Sequence, residues 1–483
     1  MKGRILSGFF WKFGEQISSQ LVTFILSIIL ARLLTPNDYG NVALVNVFIT
    51  IAEVFVVSGF GTSLIQKKDA DETDFSTIFY ISEIMSIVIY GVIFFIAPLV
   101  ANYYNSKEMT LILRVFALRL PLSAFNGIQE AYISKHLMFR KVFISTTVSA
   151  ILSGVIGVIM AYRGFGVWAL IIQYISNTII ISITLAMQVK WHPQLKFSWQ
   201  AGKPLINYGW KILATGLLGT FFNQLRSLIL GKVYTPADLA YYNRGLRFPE
   251  LISSNVNNTI SGVLFPVLSN YGSDLNKIKQ GLRRAIRMST FVLMPLLFGM
   301  MATAKQIILL LLTSKWIAAV PFMQILCMSC VFDTVSSENI QALKAIGKSD
   351  VLLYLELLKK PLYLILLLLG IKINVMAVAW TMVLYNIFAV LINMSPNRKF
   401  LKYSFKEQIQ DIFPAFFASL CMCIVVFIIG RITLPLFITF GIQVLCGGAF
   451  YITLAIIFNM SALKEVMSYF KSSPSTSKDT TIS

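Results

Sequence analysis

Ile29-Leu30-Ala31-Arg32-Leu33-Leu34-Thr35-Pro36-Asn37-Asp38-Tyr39-Gly40 ends one long apolar run and starts the next. The chain repeats the stretch as Ile229-Leu230-Gly231-Lys232-Val233-Tyr234-Thr235-Pro236-Ala237-Asp238. The Ile-Leu pair, a basic residue, the Thr-Pro pair and the Asp recur at one constant offset, and upstream Trp11-Lys12 returns as Trp210-Lys211, one residue out of step. A repeat at this spacing points to a duplicated half-molecule.

The composition says what kind of half-molecule. The 483 residues are 57% hydrophobic and 13% charged, and apolar stretches long enough to cross a bilayer recur along nearly the whole chain. The short alternating segments of a membrane β-barrel do not appear. The expected fold is therefore an all-α polytopic membrane protein. Fourteen transmembrane segments are expected, over about 9–34, 41–65, 75–100, 110–133, 142–162, 165–189, 204–233, 239–268, 288–303, 317–343, 351–371, 374–394, 409–429 and 434–458. The first is too long for a signal-peptide core and is expected to remain in the mature protein. The motif copies lie six segments apart, so both face the same side. Residues 1–203 and 204–400 then form two parallel-repeat lobes of six helices around a central cavity, 401–463 supplies two further helices, and 464–483 is a polar, disordered cytoplasmic tail. Asn126-Gly127-Ile128-Gln129 and Glu338-Asn339-Ile340-Gln341 are a fainter trace of the same repeat.

A net charge of +20 raises the question of nucleic acid, and the position of the charges answers it. Lys and Arg gather in alternate short loops, with a basic link expected over 270–287. This is the bias that sets membrane topology and places both termini in the cytoplasm. A nucleic-acid surface would need a basic soluble face, and no connection is long enough to build one. Cys327 and Cys330 form a C-x-x-C inside an apolar helix with no second ligand pair, so they read as packing residues, and no metal or cofactor is expected. There is no phosphate-binding G-x-x-x-x-G-K-[ST] loop.

Polar residues inside the segments carry the functional argument. An ionised side chain at the bilayer centre costs about 2.5–3.5 kcal/mol or more, so it should face water or a partner. Arg119, Ser123, Asn126 and Glu130 share one helix face, as do Asn46, Thr50 and Glu53. Lys211, Thr215, Gly219, Asn223 and Arg226 form a stripe. Asn243, Arg247, Glu250, Ser254, Asn258 and Ser261 form another, with Arg244 beside it, and Ser329, Asp333 and Ser337 a third. Neutral stripes of this kind commonly hold helices together by hydrogen bonds. For the arginines two readings stand: bidentate donors to a phosphate or pyrophosphate, or fixed ion pairs with Glu53, Glu83, Glu130, Glu250 or Asp333. Glu53, Glu130 and Asp333 are also candidates for coupling transport to H+ or Na+.

Taken together, Ala31-Arg32-Leu33-Leu34-Thr35-Pro36-Asn37-Asp38-Tyr39-Gly40, Tyr241-Tyr242-Asn243-Arg244, Leu264-Phe265-Pro266-Val267-Leu268-Ser269 and Lys315-Trp316-Ile317-Ala318-Ala319 resemble the polysaccharide transporter family. That family belongs to the multidrug/oligosaccharidyl-lipid/polysaccharide exporter superfamily. The resemblance implies a flippase in the bacterial inner membrane. It would move undecaprenyl-pyrophosphate-linked oligosaccharides by alternating access for O-antigen, capsule or exopolysaccharide synthesis, alongside a polymerase and chain-length machinery. Arg226, Arg244, Arg247, Arg119, Lys211, Asn223 and Asn258 would then meet pyrophosphate and sugars, and the two C-terminal helices would form a groove for the polyprenyl tail. The family often has an acidic residue where Arg226 stands. Thr35, Pro36, Asp38, Gly40, Thr235, Pro236 and Asp238 become candidates for a gate or hinge, with Asp38 capping the second helix and Gly40 freeing the backbone. The competing readings are a gradient-driven multidrug or cation exporter, whose cavity should be net acidic, and a membrane polysaccharide polymerase, which would need a sizeable external loop carrying catalytic groups.

Overall fold

The computed structural model describes residues 2–57, 59–272, 274–432 and 434–465. By internal contacts the chain divides between Ala240 and Tyr241 into two compact units. The first contains α1 (Lys2–Leu33), α2 (Pro36–Val57), α3 (Phe60–Gln66), α4 (Glu72–Tyr103), α5 (Glu108–Ala117), α6 (Arg119–Lys135), α7 (Phe139–Tyr162), α8 (Val167–Gln188) and α9 (Trp199–Val233). Helix α10 (Pro236–Asn270) begins in it and continues into the second unit. There follow α11 (Leu275–Ala302), α12 (Ala304–Leu311), a 3-10 turn (Ser314–Ala319), α13 (Val320–Ala345), α14 (Ser349–Ile371), α15 (Val375–Phe400), α16 (Phe405–Ile429) and α17 (Leu436–Ile457). No strand occurs among the described residues.

Eleven of the described helical spans are long and apolar enough to cross a membrane, and the chain is a multi-pass membrane protein. α9, α10 and α14 are long enough, at 35, 35 and 23 residues, but fall outside that set because polar and charged residues interrupt them. Residues 461–465 are helical, and the rest of the expected disordered tail lies outside the described residues.

The repeated turn is built the same way twice. Thr35 Oγ1 donates to Asp38 Oδ2 at 2.7 Å, the Thr35 amide donates to the same oxygen at 2.9 Å, and the Asp38 amide donates back to Thr35 Oγ1 at 3.3 Å. In the second copy Thr235 and Asp238 make the same three bonds at 2.7, 3.2 and 3.2 Å. This is a reciprocal capping box with Thr as the cap, Pro at the first helical position and Asp closing the ring. Threonine, not Asp38 itself, is therefore the capping residue of α2. Thr235→Ala should cost about 1 kcal/mol and lower the thermal unfolding midpoint of the detergent-solubilised protein. An unchanged midpoint would mean that the box contributes nothing there.

The expected role of Gly40 also changes. It lies within α2, and a Cβ at this position would sit 1.8 Å from the carbonyl oxygen of Pro236. The residue is glycine because the two turn motifs touch there. At the other end of α2, Gly59 (φ +93°) would bring a Cβ to 2.3 Å from the Gly209 carbonyl oxygen. Between these points a Cβ on Gly231 would meet Leu44 Cδ1 at 2.5 Å. α9 is thus laid against α2 and α3 through glycines, the close approach small residues give helices in membranes. This packing puts the division of the chain after α9, whereas the expected second lobe begins at residue 204.

Two expected helices are interrupted. Segment 110–133 breaks at Leu118, because Pro121 has no N–H for the Ala117 carbonyl, and the Leu118 amide instead closes a tight turn on Val115 at 3.2 Å. Segment 41–65 breaks around Gly59, whereas the ninth segment ends at Thr303 as expected, with α12 as a separate short helix after it. The basic link expected over 270–287 is corrected: helix α11 begins at Leu275, capped by Asp274, whose carboxylate accepts the Lys277 amide at 3.1 Å.

In the first unit α1 packs on α7, where a Cβ on Gly154 would lie 2.2 Å from Leu26 Cδ1. The extended stretch after α8 is tied down by Gln129, which donates to the Trp191 carbonyl at 3.4 Å, and by Ser76 and Thr77, which accept the Gln194 and Ser198 amides at 3.1 Å each. In the second unit α11 carries the core, with Leu293, Met294, Leu297 and Phe298 packed on Ala418, Met422 and Val426 of α16 and Tyr451 of α17. The polar ends of α11 and α16 join through Asp411. Its side chain is 3% exposed and accepts from Arg283 (2.7 and 3.0 Å), Arg287 (2.8 and 2.5 Å) and the Tyr403 hydroxyl (2.7 Å). Lys279 pairs with Glu407 at 2.9 Å. Burial, followed by the bond to Asp411, holds the Tyr403 phenol well above its usual pKa range, so it remains a donor.

Candidate functional site

In the first unit the break at Leu118 places Arg119 at the start of α6. Arg119 Nη2 meets Glu53 Oε1 of α2 at 2.9 Å, and Ser123 donates to the same oxygen at 3.2 Å. The rings of Phe116 and Tyr174 flank the guanidinium at 5.3 and 5.9 Å. Of the two readings open for Arg119, the interhelical ion pair is the one formed. It is incomplete as a fork, because Arg119 Nε is buried without an acceptor. Asn126 is buried and donates to the Thr178 carbonyl at 3.3 Å, while Glu130 is exposed at the far end of the stripe.

On α9, the buried residues Gly202, Leu205, Gly209 and Leu230 face the neighbouring helices. The polar stripe is open: Lys211, Thr215 and Asn223 are exposed, Arg226 is half-buried, and a Cβ on Gly219 would meet no atom within 4 Å. Lys211 makes no ion pair among the described residues.

In the second unit the arginines of α10 part company. Arg244 is buried, its guanidinium 5.4 Å over the ring of the fully buried Trp316 in the 3-10 turn. Tyr241 meets the same ring edge-on at 6.1 Å. Arg247 is exposed and forms no ion pair among the described residues, although Glu250 lies one turn away. Asn258 is exposed on the same helix, and Asn257 donates to Asp333 Oδ2 of α13 at 3.1 Å. Around Asp333 lie Glu250, Lys359 of α14 and Tyr385 of α15, which itself neighbours Glu356 and Tyr363. Glu356 and Lys359 pair at 2.5 Å. The sequence reading passed over the α14 charges. Glu356, Lys359 and Lys360 stand in an i, i+3, i+4 set inside an apolar helix, and that spacing was the available signal.

A second residue was missed. Glu338 of α13 is 1% exposed and neither carboxyl oxygen has a hydrogen-bond partner, with Ser289 of α11 beside it. In the repeat trace it stands where the first half has Asn126. The neutral stripes do bind helices together. Asn386, Asn393 and Asn397 of α15 donate to Ser329, Ser336 and Asn339 of α13 at 2.8, 2.6 and 2.7 Å, and Asn177 donates to Ser153 at 3.2 Å.

Two apolar clefts open beside these polar faces in the second unit. One of about 540 Å³ lies between α10 and α11, along Val256, Ile260, Val263 and Val292. The other, about 230 Å³, is bounded by Met294, Phe332, Met394, Ile412, Phe413 and Phe416. No cluster of metal-ligating side chains occurs among the described residues.

Comparison with known proteins agrees with this architecture. A family model described as "Polysaccharide biosynthesis protein" matches residues 29–321. The succinoglycan biosynthesis transport protein ExoT of Rhizobium meliloti is 25% identical over 350 residues, 72% of this chain and 71% of that one. The teichuronic acid biosynthesis protein TuaB of Bacillus subtilis is 21% identical over 433 residues, 88% of each chain. Among solved structures, the lipid II flippase MurJ in an inward closed conformation superposes with a TM-score of 0.75 at 16% identity, covering 93% of this chain and 98% of that one. That likeness establishes the fold.

Proposed function

The chain belongs to the polysaccharide biosynthesis protein family, and on that premise we propose that it is a flippase. Its cargo would be polyprenyl-pyrophosphate-linked oligosaccharide, moved by alternating access across the bacterial inner membrane for surface polysaccharide synthesis. The observation that carries the proposal is the open cationic character of α9 and α10. Lys211 and Arg247 are exposed within long helices and pair with no carboxylate among the described residues. A cation left unpaired at membrane depth suits an anion brought in from outside the fold, and a pyrophosphate matches the planar fork of arginine. Asn223 and Asn258, exposed on the same helices, supply neutral donors and acceptors for sugar hydroxyls. Arg244, packed on Trp316, holds α10 against the 3-10 turn, and Arg247 beside it is the better donor to substrate.

Fourteen spans, cytoplasmic termini and a six-helix repeat over 1–203 and 204–400 belong to the same proposal. They are supported by the K/R bias and by the matched hydrogen bonding of the two turns. The wholly apolar cleft beside α16 supports a seat for the polyprenyl tail. Glu250, Asp333 and Glu356, with Lys359 the cation among them, suit a proton or sodium ion as coupling partner. The gate role falls to the paired turns at Thr35, Pro36, Asp38 and Gly40 and at Thr235, Pro236 and Asp238.

The deciding experiment is transport in proteoliposomes of a fluorescent undecaprenyl-pyrophosphate oligosaccharide, followed with a leaflet-selective quencher. Protein-dependent movement is expected, and none with or without an ion gradient would overturn the flippase reading. Arg247→Ala should reduce the rate at least tenfold with an unchanged unfolding midpoint. A wild-type rate would remove Arg247 from the substrate path.

A further inference from the structure

Where α16 runs into α17, a pocket of about 570 Å³ is lined by Lys305, Gln306, Gln324, Arg431 and Thr439 among apolar residues. The residues that line it all belong to the second unit, and none is on α10. No carboxylate is among the described residues that line it. Lys305 and Arg431 are both exposed, and neither forms an ion pair among the described residues. Arg431 is held in place by the Phe427 ring, 5.3 Å from its guanidinium carbon.

The pocket's polar wall is built rather than incidental. Gln306 is 5% exposed, yet its Oε1 has no hydrogen-bond partner. A buried amide oxygen left without a donor is costly unless something in the pocket supplies one. Gly430 keeps the wall in place: a Cβ there would lie 2.5 Å from Gln443 Nε2 and 3.1 Å from Gln306 Nε2. Gln443 in turn donates to the Val426 carbonyl at 2.9 Å. Two cations call for an anion, and the unpaired acceptor calls for a hydroxyl close to it. The rim adds a third requirement, because Ile432 and Leu434 are 54% and 43% exposed and offer an apolar path away from the charges.

We propose that this pocket binds the headgroup of an anionic glycerophospholipid such as phosphatidylglycerol. The phosphate would lie between Lys305 and Arg431, the glycerol hydroxyls would reach Gln306, and the acyl chains would leave along Ile432 and Leu434. Basic pockets between transmembrane helices hold lipid phosphates in this way. A sugar acid would satisfy the charges and the amide but would leave the apolar rim unused.

The test is a titration of the full-length protein in neutral detergent with dioctanoyl-phosphatidylglycerol, read by thermophoresis. Saturable binding is expected, at least tenfold tighter than for the phosphatidylcholine analogue. The double variant Lys305→Gln, Arg431→Gln should weaken it at least tenfold. Gly430→Ala keeps both charges but pushes the glutamines aside, and should weaken binding at least threefold. Unfolding midpoints identify any variant that fails to fold, and Gly430→Ala then decides alone. Equal binding of the two lipids, or wild-type affinity in folded variants, overturns the proposal. So does glucuronate that saturates the pocket at lower concentration than the lipid and displaces it, which would assign the site to acidic sugar. None of these readouts depends on transport.

Discussion

Gly40→Ala is expected to abolish transport and to lower stability sharply. The added carbon would lie 1.8 Å from the Pro236 carbonyl oxygen, well inside contact distance. Overpacking usually costs about 1–3 kcal/mol because side chains rotate away. Here the obstacle is backbone, and it is fixed by the capping box of Thr235 and Asp238. Relief must come from separating α2 from the turn that joins α9 to α10, which would also disturb the tight contacts at Gly231 and Gly59. The measurements are the proteoliposome rate and the unfolding midpoint. A variant with wild-type values for both would show that the two turns do not meet in the working protein. Ala240→Gly is the matched control: it removes one buried methyl from the corresponding position of the second copy and should cost only about 1 kcal/mol.

The second large effect is expected at Asp411. One carboxylate receives both Arg283 and Arg287 and the Tyr403 hydroxyl, joining α11 to the first turns of α16. Removing one partner of a buried pair costs about 3–5 kcal/mol because the other charge is stranded. The two arginine side chains are 30% and 36% exposed, so water recovers part of that and Asp411→Ala should fall near the lower end. Asp411→Asn keeps the shape and some of the hydrogen bonds and should cost less. Thermal unfolding in detergent at low and high salt separates the cases. A midpoint for Asp411→Ala within a degree of wild type would mean that the apolar core of Leu293, Met294, Leu297 and Phe298 holds the helices together unaided.

The sequence was most legible where one chemical rule acts locally. Apolar length located the helices, and the Thr-Pro-x-Asp spacing located both turns, because a capping box needs only residues three apart. It was less legible where an outcome depends on distant partners. Pro121 was visible, but the apolar run passes over it, so the break that positions Arg119 was lost. Arg119 and Glu53 are far apart in sequence, and the arginine could equally have been left for a ligand. The first turns of α11 looked like a charged loop because Lys279, Arg283 and Arg287 carry no apolar signal. Their periodicity suits the carboxylates of α16, more than 120 positions away. Glu338 gave no warning beyond its place in the repeat, because burial without a partner is a property of packing.

The two turn motifs make the same hydrogen bonds, yet they are not interchangeable parts. At the position where the first copy has Gly40 the second has Ala240, and only the first faces a carbonyl at less than bonding clearance for a side chain. A chimera carrying residues 229–240 in place of 29–40 would retain every capping contact and still bring a methyl group against Pro236. Likeness in local chemistry therefore does not measure how far the two copies of the motif differ. The first turn is fitted to the backbone of the second, and an exchange between them would fail through shape before it failed through bonding.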